Sequence, residues 1–199
     1  MNNEFWNQRY SKVEYAYGIE PNSFFKNSII RLNPGKLLVP AAGEGRDAVY
    51  AATLGWDVLA FDPSEYGRKK ALELAVHKGV YIDYKVCDAE VFHADPASFD
   101  AIVLSYFHLP SSERRATFKK LTNYLRPGGK IMIEAFNKGQ QSFNSGGPKD
   151  IDQLISKGDL INDFSELKIE YLEELNVVLD EGPFHQGEAA VIRCIAVRP

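Results

Sequence analysis

Residues 37–48 read Leu-Leu-Val-Pro-Ala-Ala-Gly-Glu-Gly-Arg-Asp-Ala, and residues 56–62 read Trp-Asp-Val-Leu-Ala-Phe-Asp. A run of β-formers ends in small residues, and the small residues open a helix. Small side chains let the backbone approach a ligand closely, and glycine takes positive φ at no steric cost. The helix start presents unpaired N–H groups to whatever lies in the turn. An acid ending the next strand, Asp62, can accept from both hydroxyls of a ribose. Together these features predict a nucleoside-bearing ligand.

Working outward, the first strand is Lys36 to Pro40 and the first core helix Arg46 to Thr53, stopped by Gly55 as a C′ glycine. A second strand covers Asp57 to Phe61. Ser64 caps a helix that carries Ala71, Leu72, Leu74 and Ala75 and ends at Gly79. Tyr81 to Val86 is a third strand. Phe99 to Ser105 is a nearly continuous apolar run, as expected of a strand buried on both faces. A helix from Pro110 to Leu125 follows, stopped by Arg126-Pro127-Gly128-Gly129. Ile131 to Phe136 is a fifth strand, and a short helix falls near Asp150 to Ser156. Leu167 to Leu179 and Ala189 to Val197 have no helix between them and form an antiparallel hairpin. Strands alternating with helices give a parallel sheet. The expected fold is α/β: a three-layer, doubly wound, Rossmann-like sheet of seven strands, mostly parallel, with the last antiparallel. One domain is expected over residues 1–199, with 1–34 as an aromatic-rich lid or cover.

A chain of 199 residues with 45% hydrophobic and 25% charged side chains builds a sizeable globular core. A formal charge of −4 argues against a nucleic-acid partner held through phosphates. No apolar run reaches the length of a membrane span. The opening MNNEFWNQRYSK lacks a signal-peptide pattern, so a cytoplasmic location is expected. Cys87 and Cys194 are far apart, in no metal-ligand spacing, and read as reduced packing residues. No metal is expected.

Gly43-Glu44-Gly45-Arg46-Asp47-Ala48 fits G-x-G-x-x-A, which with Asp62 makes NAD a candidate. Two features point elsewhere. Little chain remains for a nicotinamide and a substrate domain. The third strand also ends in Cys87-Asp88-Ala89-Glu90, an acid where an adenine amino group lies if the cofactor carries one nucleoside.

In these residues the chain resembles a class I S-adenosylmethionine-dependent methyltransferase over essentially its whole length. The carriers are the turn after strand one, Asp62, Asp88-Ala89, FDAIVLS, LRPGGKIMIEAF and the closing hairpin. Within that group it is most similar to the small thiopurine and tellurite-resistance type enzymes. Trp6, Arg9-Tyr10, Tyr17-Gly18, Pro21-Asn22, Val39-Pro40, His108-Leu109-Pro110, Ser145 to Pro148 and Glu181 to Gly187 carry that finer likeness. Two departures stand out: Val39 replaces the acid common at the end of strand one, and Ala41 replaces a glycine. The D/N-P-P-Y/F motif of nucleic-acid amino methylation is absent; Ser105 to His108 occupies that region.

The resemblance implies S-adenosylmethionine as cofactor and S-adenosylhomocysteine as product. It implies a cofactor site drawing on Ala41, Gly43, Gly45 and Arg46, on Asp62 and Pro63, on Asp88, Ala89 and Glu90, and on Ser105 and Tyr106. Gly43 and Gly45 bring backbone N–H groups to the methionyl carboxylate, Asp62 takes the ribose, and Asp88 takes the adenine amino group. Each has a plainer alternative: an ordinary turn, a helix cap, a solvated acid. Trp6, Arg9 and Tyr17 are expected as lid or substrate residues. Of four histidines, His77 suits a helix C-terminus and His93 a surface loop. His108 and His185 fall at the carboxyl edge of the sheet and are the candidate catalytic bases, with rim histidines as the alternative. The expected activity is methyl transfer to a small molecule such as a thiol or an oxyanion of tellurium or selenium. An NAD-dependent oxidoreductase and a non-catalytic S-adenosylmethionine-binding protein are the alternatives.

Overall fold

The computed structural model describes residues 3–199. Its seven strands form one sheet in the order β3-β2-β1-β4-β5-β7-β6. Two compact units account for the chain: residues up to His93 with Glu181–Phe184, and Ala94–Asp180 with His185–Pro199.

The first unit opens with α1 (Asn3–Tyr10) and α2 (Ser23–Ile29). Then come β1 (Lys36–Pro40), α3 (Arg46–Thr53), β2 (Asp57–Asp62), α4 (Glu65–His77) and β3 (Asp83–Val86). β1 pairs with β2 and β2 with β3, all parallel. Ser64 caps α4 by accepting the Gly67 N–H at 3.1 Å, and Gly79 ends it at φ 68°. β3 is shorter than the sequence predicts, because Tyr81 is 81% exposed and the chain enters the sheet only after the buried Ile82.

The second unit holds β4 (Phe99–Ser105), α5 (Ser111–Thr122), β5 (Leu125–Phe136), α6 (Lys157–Asp163), β6 (Lys168–Asp180) and β7 (Gln186–Val197). β4 and β5 are parallel, whereas β7 runs antiparallel to both β5 and β6. The expected mostly parallel sheet with its closing hairpin is therefore present. Phe136, Leu154, Leu179, Ala189 and Val191 form a core cluster here.

Three expectations need correction. α5 stops at Thr122, and Leu125 already belongs to β5. Arg126 to Gly129 is then a bulge inside the strand, since Phe99 pairs with Leu125 but Ala101 with Lys130. Arg198 pins that bulge by accepting from Gly128 N–H at 2.7 Å and donating to the Gly129 carbonyl at 2.9 Å. The helix expected near Asp150 to Ser156 is a 3-10 turn, Ile151–Gln153, followed by α6, whose capping box joins Ser156 and Asp159. Among the described residues, no helix is long and apolar enough to cross a membrane.

Candidate functional site

The turn after β1 is built on left-handed backbone: Ala41 at φ 49°, Gly43 at 53° and Gly45 at 84°. Gly45 is fixed for a second reason, because a methyl there would meet the Ala71 Cβ at 2.4 Å. Asp62 organises the turn from the end of β2. Its Oδ2 accepts the Gly43 N–H at 3.1 Å and its Oδ1 the Ser64 N–H at 2.9 Å. Burial pushes its carboxyl up to about 6, against the pull of those two hydrogen bonds, and nearby Asp88 adds to the rise. The Tyr84 hydroxyl donates to the Gly43 carbonyl at 2.6 Å. The Tyr10 hydroxyl lies against Gly43, 2.7 Å from where a Cβ would be. Burial holds both phenols well above their usual range.

Gly43 and Gly45 therefore do not offer free donors as expected. Gly43 N–H goes to Asp62 and Gly45 N–H to the Ala42 carbonyl at 2.9 Å. Their contribution is shape. Asp88 is half-buried, and its carbonyl accepts from Val91 and Phe92 N–H at 3.2 and 3.0 Å, closing a turn after β3. Ala89 and Pro63 are buried beside the two acids, whereas Glu90 is exposed.

Three charged residues of the turn hold the N-terminal segment. Glu44 accepts the Ala16 N–H at 2.7 Å and the Lys70 ammonium at 2.6 Å. Burial raises the Glu44 carboxyl, and Lys70 opposes that rise. Asp47 accepts the Asn22 N–H at 2.7 Å. Arg46 donates to the Tyr17 carbonyl and to Glu181, both at 2.9 Å, and Asn22 reaches the same Glu181 at 3.3 Å. Arg46, expected in the cofactor site, is thus tied to protein groups and positions the N-terminal segment. The sequence carried no signal for Lys70 or Tyr84, whose partners lie 26 and 41 positions away.

Trp6 stacks on Tyr10 with ring centroids 5.5 Å apart. Arg9 Nη1 donates to the Tyr17 hydroxyl at 2.7 Å. The expected lid residues therefore pack as one aromatic cluster over the first unit, joined there by Phe184 from the hairpin tip.

In the second unit Tyr106 follows β4 at φ 53°, its N–H on the Glu134 carbonyl at 2.7 Å and its hydroxyl on the Glu134 carboxylate at 2.8 Å. Arg193 bonds the other carboxylate oxygen. His185 is 4% exposed and sets its ring edge-on to Tyr106 at 4.3 Å and to Phe136 at 5.2 Å. The Ser105 hydroxyl oxygen is buried and, among the described residues, has no hydrogen-bond partner.

His108 is held differently. The Phe136 N–H donates to its Nε2 at 3.3 Å, so Nδ1 carries the proton and donates to the Gln153 carbonyl at 2.8 Å. Burial lowers its pKa to about 4. Both nitrogens are spent on backbone, which removes His108 as a general base and makes it a brace. His77, the last residue of α4, and His93 are both exposed.

The acceptor oxygens of Asp62 fit an adenosyl cofactor. Asp62 spends one acceptor site per oxygen on backbone, which leaves a second on each for a ribose hydroxyl. Among the described residues, no group of three or more His, Cys, Asp or Glu is placed to hold a metal ion.

Residues 38–129 match the model of a methyltransferase domain. A ubiquinone biosynthesis O-methyltransferase of Idiomarina loihiensis is 30% identical over 123 residues, 60% of this chain. The chain spans about half (50%) of that curated relative's length. Among solved structures, TehB from Haemophilus influenzae superposes with TM-score 0.74 at 16% identity, covering 99% of this chain and 67% of that one. A structure concerned with converting a disulfide bond into a thioacetal group during echinomycin biosynthesis gives 0.81 at 19%, covering 100% and 92%. The 1,6-didemethyltoxoflavin-N1-methyltransferase of Burkholderia thailandensis, with S-adenosylhomocysteine bound, gives 0.66 at 17%, covering 88% and 78%. Likeness at these identities is likeness of fold.

Proposed function

We propose, for a chain that has the class I S-adenosylmethionine-dependent methyltransferase fold and a methyltransferase domain at residues 38–129, that it transfers a methyl group from S-adenosylmethionine to a small molecule. The observation that carries this reading is Asp62, a buried carboxylate held at the end of β2 by Gly43 and Ser64 N–H groups. An acid so fixed reads vicinal hydroxyls without reorganising.

The sulfonium of the cofactor supplies an already activated methyl group. The chain's own work is then to bind, to orient and to exclude water. Asp62 takes the ribose hydroxyls. Asp88 accepts from the adenine amino group, next to the buried Ala89. The left-handed turn at Ala41 to Gly45 shapes the floor under the amino-acid part. The Ser105 hydroxyl, partnerless among the described residues, is a further polar group for a bound molecule. An oxygen or nitrogen acceptor must lose a proton, and a ring nitrogen of His185 is the base. A thiol, or an oxyanion of tellurium or selenium, is soft enough to react with little base help.

Calorimetric titration with S-adenosylmethionine, S-adenosylhomocysteine and NAD in parallel tests the reading. Binding of the first two without the third supports it. Binding of NAD alone returns Gly43 to Ala48 to a dinucleotide site and overturns it. Cofactor binding with no methyl transfer across an acceptor panel would instead make the chain a non-catalytic S-adenosylmethionine-binding protein.

A further inference from the structure

Most arginines that this chain draws into its structure meet a carboxylate. Arg46 pairs with Glu181, Arg114 with Asp159 and Asp163, Arg126 with Asp100, and Arg193 with Glu134. Arg9 does not. Among the described residues it makes no ion pair, and its one hydrogen bond runs from Nη1 to the neutral Tyr17 hydroxyl at 2.7 Å. Its guanidinium carbon lies 4.1 Å from the Phe184 ring centroid, 4.7 Å from that of Phe5 and 5.8 Å from that of Trp6. Arg9 is half-buried in this setting.

Aromatic rings on a guanidinium strip water from its faces and fix its plane, while leaving its edge donors free. Tyr17 uses one of five N–H groups. The result is a charged fork, immobilised and partly dehydrated, with most of its donors unused. Removing water from an unpaired cation is costly, and an anion that meets the free edge repays it. The cluster also has an address. Trp6 stacks on Tyr10, and Tyr10 lies against Gly43 of the turn that Asp62 organises.

We propose that Arg9 is a specificity-determining residue that receives the anionic group of the methyl acceptor, so that the acceptor class is anionic. This rests on the methyl-transfer reading and adds to it the charge of the substrate. The aromatic walls of the cluster suit an acceptor whose anionic group is attached to a flat, apolar body, with a small inorganic oxyanion as the other source of the same charge.

The test uses the full chain saturated with S-adenosylhomocysteine, titrated calorimetrically with benzoate, with its neutral isostere benzamide and with selenite. Benzoate should bind at least about tenfold more tightly than benzamide, as expected for hydrogen bonds to a charged group. Arg9→Gln should erase that preference while leaving the S-adenosylhomocysteine affinity unchanged. Arg9→Lys, with the charge but not the fork, should fall between. Selenite binding alongside benzoate assigns the site to anions in general, and benzoate alone assigns it to carboxylates on a ring; either supports the proposal. Equal binding of benzoate and benzamide, no binding of any anion, or a preference that persists in Arg9→Gln overturns it and leaves Arg9 as a staple for Tyr17. If S-adenosylhomocysteine itself does not bind, the methyl-transfer reading falls and this proposal with it.

Discussion

The Phe136 N–H donates to Nε2 of His108, and that one contact occupies the lone pair a general base would use. A base needs a free lone pair, and His108 has none to offer. His108→Gln should cost about 1–2 kcal/mol of stability, as buried backbone groups lose partners, and should leave the pH dependence of turnover unchanged. The sign of its pH effect follows from a pKa near 4 against an ordinary 6.5. Between those values the unfolded chain takes up the proton first. Its stabilisation is therefore complete above 6.5 and is lost as pH falls towards 4. Urea denaturation of both proteins across that window checks it; an unchanged slope in His108→Gln would remove the brace.

His185 carries the opposite expectation. It is buried, with its ring set edge-on to Tyr106 and to Phe136. His185→Gln should lower turnover of an oxygen or nitrogen acceptor by about 10²–10⁴-fold, with cofactor affinity retained. A thiol acceptor should lose far less. Parallel assays of kcat on the two acceptor types read this directly, and equal losses on both would make His185 a packing residue.

Asp62 should make cofactor binding pH-dependent. Its carboxyl titrates near 6, above an ordinary 3.8. The ionised form accepts two hydroxyls, so affinity should decline as pH falls through about 6. Its effect on stability runs the other way. Between 3.8 and 6 the folded chain keeps a proton that the unfolded chain has lost, so ionising Asp62 destabilises progressively as pH rises through that interval. Asp62→Asn should weaken S-adenosylhomocysteine binding by about 1–3 kcal/mol and flatten its pH profile. Calorimetry at pH 5 to 8 measures both; an unaltered profile would take Asp62 out of the site.

Ala41 stands at φ 49°, where a side chain is strained. Ala41→Gly relieves that strain, offset in part by the larger entropy of the unfolded glycine. The net gain should be about 0.5–1 kcal/mol, seen as a higher urea midpoint. A loss of stability would mean that the Ala41 methyl packs productively in the turn.

Local chemistry made much of this legible beforehand. The Ser64 cap, Gly55 and Gly79 mark helix ends within a few residues, and FDAIVLS announces a strand buried on both faces. The site acid Asp62 was readable because it ends a strand just after the glycine turn. What the sequence could not display was distance closed by folding. The Phe136 N–H that silences His108 lies 28 residues away, and Glu181, which occupies Arg46, lies 135 away. The Arg126 to Gly129 bulge looked like a helix stop because proline and glycine signal both, and only its pairing with Arg198 distinguishes them.

The Arg46–Glu181 pair gives the last prediction. Both side chains are nearly buried, at 10% and 12% exposure, and they join the start of α3 to the hairpin tip. Breaking one partner leaves the other charged and dehydrated, so Arg46→Met or Glu181→Gln alone should each cost about 3–5 kcal/mol. Changing both to apolar residues of similar size, Arg46→Met with Glu181→Met, should recover much of that loss, because no orphaned charge remains. A double-mutant cycle by urea denaturation, with Glu181→Met as the second single change, should then give a coupling at least as large as one single loss, about 3 kcal/mol or more. Activity should not recover with stability. The Tyr17 carbonyl also depends on Arg46, and the Tyr17 side chain holds Arg9. Additive single and double losses would show that the N-terminal segment is held by Glu44 and Asp47 instead, with Arg46 contributing little to its position.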